Sequence, residues 1–256
     1  MTNTQANYTD NFDPAIYLND YFLVAPEVED IFVAQFIIEA IKKMPSNLLT
    51  LDFGSGPVLS AEAVLAPQSR EIHMCDYVPV SLDLLRAWVD DTPKAFNWAP
   101  YIKMALKEAG EPTTLESVAQ RTTEMRRKIT RLMHCNALSE TPLGDNAIQY
   151  DLVVAESVTE NVATSLTEWI QVMRNISSLV LPEGWLLICV LNDGKGYFVK
   201  EKFFSCIDLS NEDIRQGYLD VGYDPDTFYI ETIASPGERG YSKLTCAVAR
   251  KFGSPA

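Results

Sequence analysis

Two sets of residues in this sequence have the types and spacing to do chemistry. The first is Gly54-Ser55-Gly56 together with Asp76. Six mostly apolar residues, Leu48 to Phe53, run into the Gly-x-Gly turn, and an Ala-, Glu- and Leu-rich stretch from Val58 to Ala66 follows it. A buried parallel strand that empties through a glycine turn into a helix lets the backbone approach a ligand, and the N–H groups at the helix start attract its negative end. Leu59 stands where the third glycine of a dinucleotide fingerprint would fall, and Pro57 follows the second glycine. That argues for a smaller anion than a pyrophosphate, such as a carboxylate. A second strand, Glu71 to Asp76, ends in an acid 22 residues after Gly54, placed to accept hydrogen bonds from a ribose diol. A carboxylate at the turn and a ribose at the acid together suggest S-adenosylmethionine (SAM).

The second set is acidic. Glu156 and Glu160 lie four apart, just past the strand-like run Tyr150–Ala155. In an open parallel sheet, the C-terminal ends of the strands are where ligands bind. A carboxylate there could bind an ammonium and take or relay its proton. The plainer alternative is a pair of solvated loop acids. Asp193, in the glycine-containing stretch Asn192–Phe198, completes a trio of acids suited to a cation.

These residues need elements to hold them. Asp13-Pro14 is an N-cap and first-turn pair, so a short helix should begin there, with Tyr17, Tyr21 and Phe22 on one side. Those rings are either a face packed on the core or a lid over a ligand. Asp30–Met44 is an amphipathic helix with cations in its last turn, and with the preceding helix makes a helical cap over residues 12–45. Val80–Val89 reads as a helix. Residues 92–128 interrupt the βαβ rhythm with a helical insertion, Tyr101–Ala109 and Thr114–Arg127. Its charge run, Arg121 to Arg131, reads as a solvated face. The third strand is Ile129–Cys135. A helix over Leu166–Val180 precedes an apolar strand, Trp185–Leu191, and Ser210-x-x-Asp213 opens another helix with a capping box. Thr227–Ala234 and Lys243–Arg250, around a turn at 235–237, form an antiparallel hairpin. Met1–Asn11 is expected to be disordered or partly ordered. Seven strands follow: an α/β, Rossmann-like fold in a single domain, 1–256.

Composition narrows the function classes. The chain has 256 residues and a net charge of −14, which argues against nucleic acid and anionic membranes as partners and tolerates a cationic small molecule. No apolar run is long enough to span a bilayer, and the N-terminus lacks the basic and apolar regions of a signal peptide. Five cysteines and two histidines show no ligand spacing, so the expectation is packed, reduced thiols and no metal. The chain reads as a cytoplasmic monomer.

Specific stretches then resemble a known family. Phe12-Asp13-Pro14-x-x-Tyr17-Leu18-x-x-Tyr21-Phe22, Leu51-Asp52-Phe53-Gly54-Ser55-Gly56-Pro57, Asp76-Tyr77 and Phe96-Asn97-Trp98-x-Pro100 are four of them. Leu143-Gly144, Arg174-Asn175-Ile176-x-Ser178-Leu179, Glu183-Gly184 and Val248-Ala249-Arg250-Lys251 continue the series. In this order they resemble the small-amine N-methyltransferases typified by the nicotinamide, phenylethanolamine and indolethylamine enzymes. The resemblance implies a seven-stranded class I methyltransferase sheet with a C-terminal hairpin and an N-terminal helical lid. It also implies SAM as cofactor, S-adenosylhomocysteine as its product, and a small-molecule acceptor.

Residue by residue, the resemblance implies that Tyr17 and Phe22 close over SAM and that Gly54, Ser55 and Gly56 meet its methionine end. Asp76 would take the ribose, with Tyr77 and Ser81 beside it, and Asn136, Ala137 and Ala155 would complete the cofactor contacts. Phe22 replaces a tyrosine, Ser81 an asparagine and Asn136 an aspartate of the family pattern. On the acceptor side it implies Glu160 and Tyr197; Tyr21, Glu156 and Asp193 join them as acceptor candidates from the strand and helix reading, with Glu160 and Glu156 as the candidate bases. Val190 stands where the nicotinamide enzyme carries an aspartate and Cys206 where it has a serine, which favours a cationic amine over nicotinamide. Transfer to carbon, oxygen or sulfur on the same fold remains open, as does a non-catalytic SAM-binding regulator.

Overall fold

A computed structural model describes residues 4–146, 148–236 and 239–253; of the turn expected at 235–237, residue 237 lies outside that set, as do residues 1–3. The chain forms two compact units, one of Met1–Phe12 with Cys135–Ala256 and one of Asp13–His134. Its main sheet is mixed and has seven strands.

The first helix, α1 (Thr4–Asn11), lies where the composition suggests little order. It is held by aromatic packing within its own unit: Tyr8 lies 5.2 Å and Phe12 5.6 Å from the Phe204 ring. No sequence periodicity announces those distant partners.

The unit Asp13–His134 holds α2 (Pro14–Tyr21), α3 (Val28–Ile41), β1 (Leu48–Phe53), α4 (Ser60–Leu65), β2 (Ser69–Asp76), α5 (Pro79–Val89), α6 (Ala99–Glu108), α7 (Leu115–Lys128) and β3 (Ile129–His134). Asp13 caps α2 as expected, accepting from Ala15 N and Ile16 N at 3.0 Å. The strands run parallel in the order β3-β2-β1, with Leu51 opposite His73 and His73 opposite Arg131. β1 is apolar and buried along nearly its whole length, as in a strand covered on both faces, while β3 forms the sheet edge and is largely exposed. The expected solvated face of α7 is wrong for Arg121. That side chain is buried; it donates to the Ala63 carbonyl and pairs with Glu111 at 2.8 Å. Burial is tolerable because the guanidinium meets a carboxylate and a carbonyl that satisfy its donors.

The other unit continues with β4 (Tyr150–Glu156), α8 (Thr159–Val162), α9 (Leu166–Ser177), β5 (Val180–Asn192), β6 (Gly196–Val199), β7 (Lys202–Ser205), α10 (Asn211–Asp220), β8 (Tyr229–Ala234) and β9 (Lys243–Arg250). Here the sheet order is β4-β5-β9-β8, parallel between β4 and β5 and antiparallel beyond. The expected C-terminal hairpin is present. β5 starts five residues earlier than the apolar run suggests. Val180 already pairs with Tyr150, and Glu183 at φ 65° carries the strand through Pro182-Glu183-Gly184 with a register shift. The glycine-containing stretch after β5 is a second hairpin, β6-β7. Gly196, at φ 148°, has no room for a Cβ, which would meet the Phe204 carbonyl at 2.0 Å. The expectation of reduced thiols is corrected at one pair: Cys189 and Cys246, opposite each other on β5 and β9, form a disulfide. Cys75, Cys135 and Cys206 are not in disulfides.

Helix α10 closes against α9 through an absent side chain. A Cβ on Gly217 would sit 2.3 Å from the fully buried Trp169 ring. Overpacking a filled core costs ~1–3 kcal/mol. Gly217→Ala should therefore lower the unfolding free energy by that amount, seen as a lower urea midpoint with an unchanged m-value; equal stability would show that the ring shifts freely.

Candidate cofactor and acceptor sites

In the unit Asp13–His134, the glycine turn is tied to the end of β2. Gly54 and Ser55 donate their N–H groups to the Cys75 carbonyl at 2.8 and 3.0 Å, with Gly54 at φ 74° and Gly56 at φ 57°. Gly56 N donates to one oxygen of Asp76 at 2.9 Å and Val78 N to the other at 2.8 Å. Asp76 is buried, and burial raises its pKa, while the two backbone donors oppose that rise. A carboxylate has about four acceptor positions, so two remain for a diol after both backbone bonds are made. Nothing stands within 4 Å of the point where a Gly56 Cβ would lie. An open space beside the turn and a buried acid with spare lone pairs fit the ribose and methionine ends of SAM. Helix α4 is shorter than the Val58–Ala66 expectation and begins only at Ser60.

The aromatic residues of α2 divide. Phe22 is buried against Trp98 and Tyr101, at 5.2 and 5.3 Å, as part of the core. Tyr17 and Tyr21, 4.7 Å apart, are half-buried and keep a solvent-reaching edge. Tyr77 is half-buried with its ring 5.4 Å from His134. Two acids that the motif reading passes over also lie here. Asp52, at the end of β1, is held well above the usual carboxylate range by burial first and then by the charge of buried Glu62. Asp52 lies inside an apolar strand and Glu62 on an alanine-rich helix; an acid in such a run is the one signal sequence offers.

The other unit gathers the acceptor-side candidates. Asn136 accepts from Leu138 N at 2.9 Å, and Asn175 donates to the Ala137 carbonyl at 2.9 Å, which fixes that loop. Ala155 is buried in β4, paired with Ile188. Glu156 is the last residue of β4 and half-buried.

Glu160 is fully buried on the single turn α8. Ser157, at φ 51°, turns the chain off β4 with its N–H on the Cys189 carbonyl at 2.7 Å. Ile207 N donates to the Glu160 carbonyl at 3.0 Å, joining a third segment. The Glu160 carboxyl accepts from Leu191 N at 3.0 Å on Oε1, while Oε2 has no partner. Burial pushes its pKa up to about 7, against the pull of the Leu191 N–H. Cys206 lies close enough to feel that charge: burial, then Glu160 and Asp208, push its thiol up to about 12. The solvated-loop alternative therefore fails for Glu160.

Asp193 is different. It is exposed, accepts from the Ser242 hydroxyl at 2.7 Å and pairs with Lys243 at 3.3 Å, and these hold its pKa below the ordinary value. It takes no part in the buried cluster. Tyr197 is buried on β6, its hydroxyl 2.9 Å from that of Tyr8 and its ring 5.4 Å from Phe204. Tyr8 had no motif to mark it. Among the described residues no His, Cys, Asp and Glu group is arranged to hold a metal.

The sheet is that of the class I SAM-dependent methyltransferases. It is similar to the N-methyltransferase NodS of Bradyrhizobium japonicum WM9 in complex with S-adenosylhomocysteine, with a TM-score of 0.51 and 13% identity over 97% of this chain and 98% of that one. The chain belongs to the NNMT/PNMT/TEMT family, whose model matches residues 1–252. It is 28% identical to indolethylamine N-methyltransferase of Oryctolagus cuniculus over 85% of this chain and 84% of the relative. It is 23% identical to nicotinamide N-methyltransferase of Homo sapiens over 97% and 96% of the two chains. The protein is a SAM-dependent N-methyltransferase by family, and SAM is its cofactor.

The buried acid has a stability signature. With a folded pKa near 7 against an ordinary 4.5, the native state holds a proton that the unfolded chain releases. Stability therefore falls as pH rises between those values, and the full cost, about 3 kcal/mol, stands above the folded pKa. Glu160→Gln keeps an acceptor for Leu191 N and carries no charge. Urea unfolding should find it more stable than wild type by ~1–3 kcal/mol at pH 8 and nearly equal at pH 4.5. A difference that does not change with pH would contradict the raised pKa.

Proposed function

We propose that this enzyme methylates the nitrogen of a small cationic amine and that Glu160 is the group that binds the ammonium and takes its proton. The observation that carries the proposal is Glu160 Oε2: a fully buried acceptor oxygen with no partner, on a carboxyl whose pKa lies near neutrality. An alkylammonium supplies the missing donor and the opposite charge. A base is most effective when its pKa lies near the working pH. The names of the relatives, an indolethylamine and a nicotinamide N-methyltransferase, support nitrogen as the acceptor atom. Val190, apolar and buried on β5, offers a neutral amide no partner, which favours an amine over nicotinamide.

SAM supplies a methyl group on a sulfonium that is already a good leaving group. The chain's own work is then to hold, orient and manage one proton. Gly54, Ser55 and Gly56 receive the methionine end, Asp76 the ribose hydroxyls, with Tyr77 and Ser81 beside it. Asn136, Ala137 and Ala155 are assigned to the adenine side and Tyr17 and Phe22 to covering the cofactor. Tyr21, Glu156 and Tyr197 are assigned to the acceptor; Asp193, occupied at the surface, serves at most the approach of a cation. Alignment of lone pair and methyl can supply ~7–11 kcal/mol of the barrier. The net charge of −14 supports an acceptor that is cationic and a protein without a nucleic-acid partner. Among the described residues no helix is long and apolar enough to cross a membrane. The same reading takes the protein as a cytoplasmic monomer acting on free small molecules.

Two measurements test these assignments. Asp76→Ala removes an ionised acceptor for two hydroxyls, worth ~1.5–3 kcal/mol, so calorimetry should show SAM binding weakened at least about tenfold. Unchanged affinity would move the ribose elsewhere. A screen of primary amines, guanidines, pyridines and indoles, read by mass gain, should find the acceptor among the cations. On that acceptor Glu160→Gln should lower kcat/KM by ~10²–10⁴ and leave SAM affinity alone, while wild-type kcat/KM rises through pH 7 as Glu160 ionises. Near-wild-type turnover by the variant, or robust methylation of nicotinamide with none of amines, would overturn the assignment.

A further inference from the structure

The basic run of α7 has no part in the cofactor or acceptor assignments, yet three of its cations turn inward within the unit Asp13–His134. The side chains of Arg121, Lys128 and Arg126 are 6%, 11% and 25% exposed. Each ends on a backbone carbonyl at the close of another helix. Arg121 Nη1 donates to the Ala63 carbonyl and Lys128 Nζ to that of Ala66 at 2.5 Å, in the last turn of α4 and at its C-cap. Arg126 Nε donates to the Trp88 carbonyl at 3.0 Å, in the last turn of α5, with its guanidinium 4.8 Å over the Trp88 ring. The last carbonyls of a helix have no partner within it, and they form its negative end, so cations there satisfy both. Carboxylates hold the cations in turn. Glu111 receives Arg121 at 2.8 and 2.9 Å, Glu124 receives Lys128 at 2.8 Å and Asp91 receives Arg126 at 2.7 Å. Arg127, in the same run, is exposed.

The two helices held in this way are the two that leave the cofactor turns. α4 follows the turn Gly54–Pro57. α5 follows Asp76, and its N-cap residue, Val78, donates to that carboxylate. The near ends of α4 and α5 thus carry the candidate site, and their far ends carry the α7 contacts. At 1.5 Å per residue those far ends lie roughly 9 Å and 16 Å along the helices from their starts. A helix is stiff over such lengths, so the hold on its far end sets how its near end is presented.

We propose that Arg121, Lys128 and Arg126 are positioning residues for SAM: α7 grips the far ends of α4 and α5 and so keeps the glycine turn and Asp76 at the spacing the cofactor needs. The inference rests on the placement of SAM at Gly54–Gly56 and Asp76 and adds what sets their separation. The methionine end and the ribose belong to one molecule, so turn and carboxylate must stand at one distance to be met together. Locally that distance is kept by a single contact, Gly56 N to Asp76 at 2.9 Å. Each partner of that contact is continued by a helix that can pivot unless its other end is held. With a grip lost, part of the population carries turn and acid out of register, and the apparent affinity falls with the fraction that stays competent.

The test is calorimetry of SAM and S-adenosylhomocysteine binding to the full-length protein, with a melting curve for every variant. Arg121→Met, Lys128→Met and Arg126→Met should each weaken both ligands about fivefold or more, the competent fraction dropping to about a fifth. Arg121→Lys keeps a cation able to reach a carbonyl and should recover most of the loss. Two controls separate positioning from other causes. Arg127→Met removes the same charge from the exposed side of α7, and Gly217→Ala loosens the core of the other unit; both should bind SAM as wild type does. Lys128 and Arg126 are less enclosed than Arg121, so their variants decide the matter if Arg121→Met does not fold. Folded grip variants that melt earlier but bind SAM unchanged would overturn the proposal, as would an equal loss in Arg127→Met or Gly217→Ala. Asp76→Ala distinguishes the two readings. If it weakens binding and the grip variants do not, the grip falls and the ribose placement stands; if Asp76→Ala leaves binding unchanged, both fall.

Discussion

The hydrogen bond from Leu191 N to Glu160 is the contact on which the acceptor side depends. It is one bond to a carboxyl that has lost all contact with solvent. A buried ionised carboxylate with a single donor is poorly compensated, and the rise of its pKa to about 7 is the direct consequence. The surrounding backbone holds the group there nonetheless. Ser157 takes a left-handed conformation to leave β4, α8 lasts a single turn, and Ile207 fastens the Glu160 carbonyl to a third segment. On the proposed reading, the cost of holding the side chain there is met by a bound cation.

Asp76 shows what the same kind of group does with two donors. Gly56 N and Val78 N reach its two oxygens. These bonds favour the charged form and oppose the rise that burial alone would cause. The carboxylate is also fixed in orientation by them, with lone pairs left over. Fixed lone pairs suit neutral hydroxyls, which must be met at set angles; a proton that has to move needs a carboxyl with an open oxygen. On the proposed assignments, the number of backbone donors separates the two tasks, and each number follows from the turn that delivers them.

How much of this was legible in the sequence depends on how local the cause was. β1, the glycine turn, Asp76 and the Asp13 cap are encoded within a few residues of themselves, and they stand where the pattern puts them. The C-terminal hairpin was equally plain, because two β-rich runs without an intervening helix have few alternatives. What could not be read depends on partners far along the chain. Helix α1 is ordered by Phe204, β5 is lengthened by pairing with Tyr150, and Arg121 is buried because Ala63 and Glu111 receive it. The Cys189–Cys246 pair belongs to the same class: only the register of β5 on β9 sets those two residues opposite each other. Composition and periodicity carry no record of such pairings.

Glu160 and Asp193 make the point most sharply, since the sequence put both in one trio of acids suited to a cation, past the ends of neighbouring strands, with Glu160 as a candidate base. Asp193 turns out on a left-handed corner in solvent, where Ser242 and Lys243 reach it and hold its pKa below the ordinary value. Glu160 sits one turn beyond a different left-handed corner, and that turn directs it inward to a lone N–H, with its pKa raised. Both are acids beyond strand ends; burial and the groups that reach them differ. A carboxylate with a lowered pKa beside a lysine is charged at any pH the protein meets and can only attract. A carboxyl near neutrality with an open oxygen can accept a proton and give it up again, and that difference, set by two backbone corners, is what makes one acid a candidate base and leaves the other a surface charge.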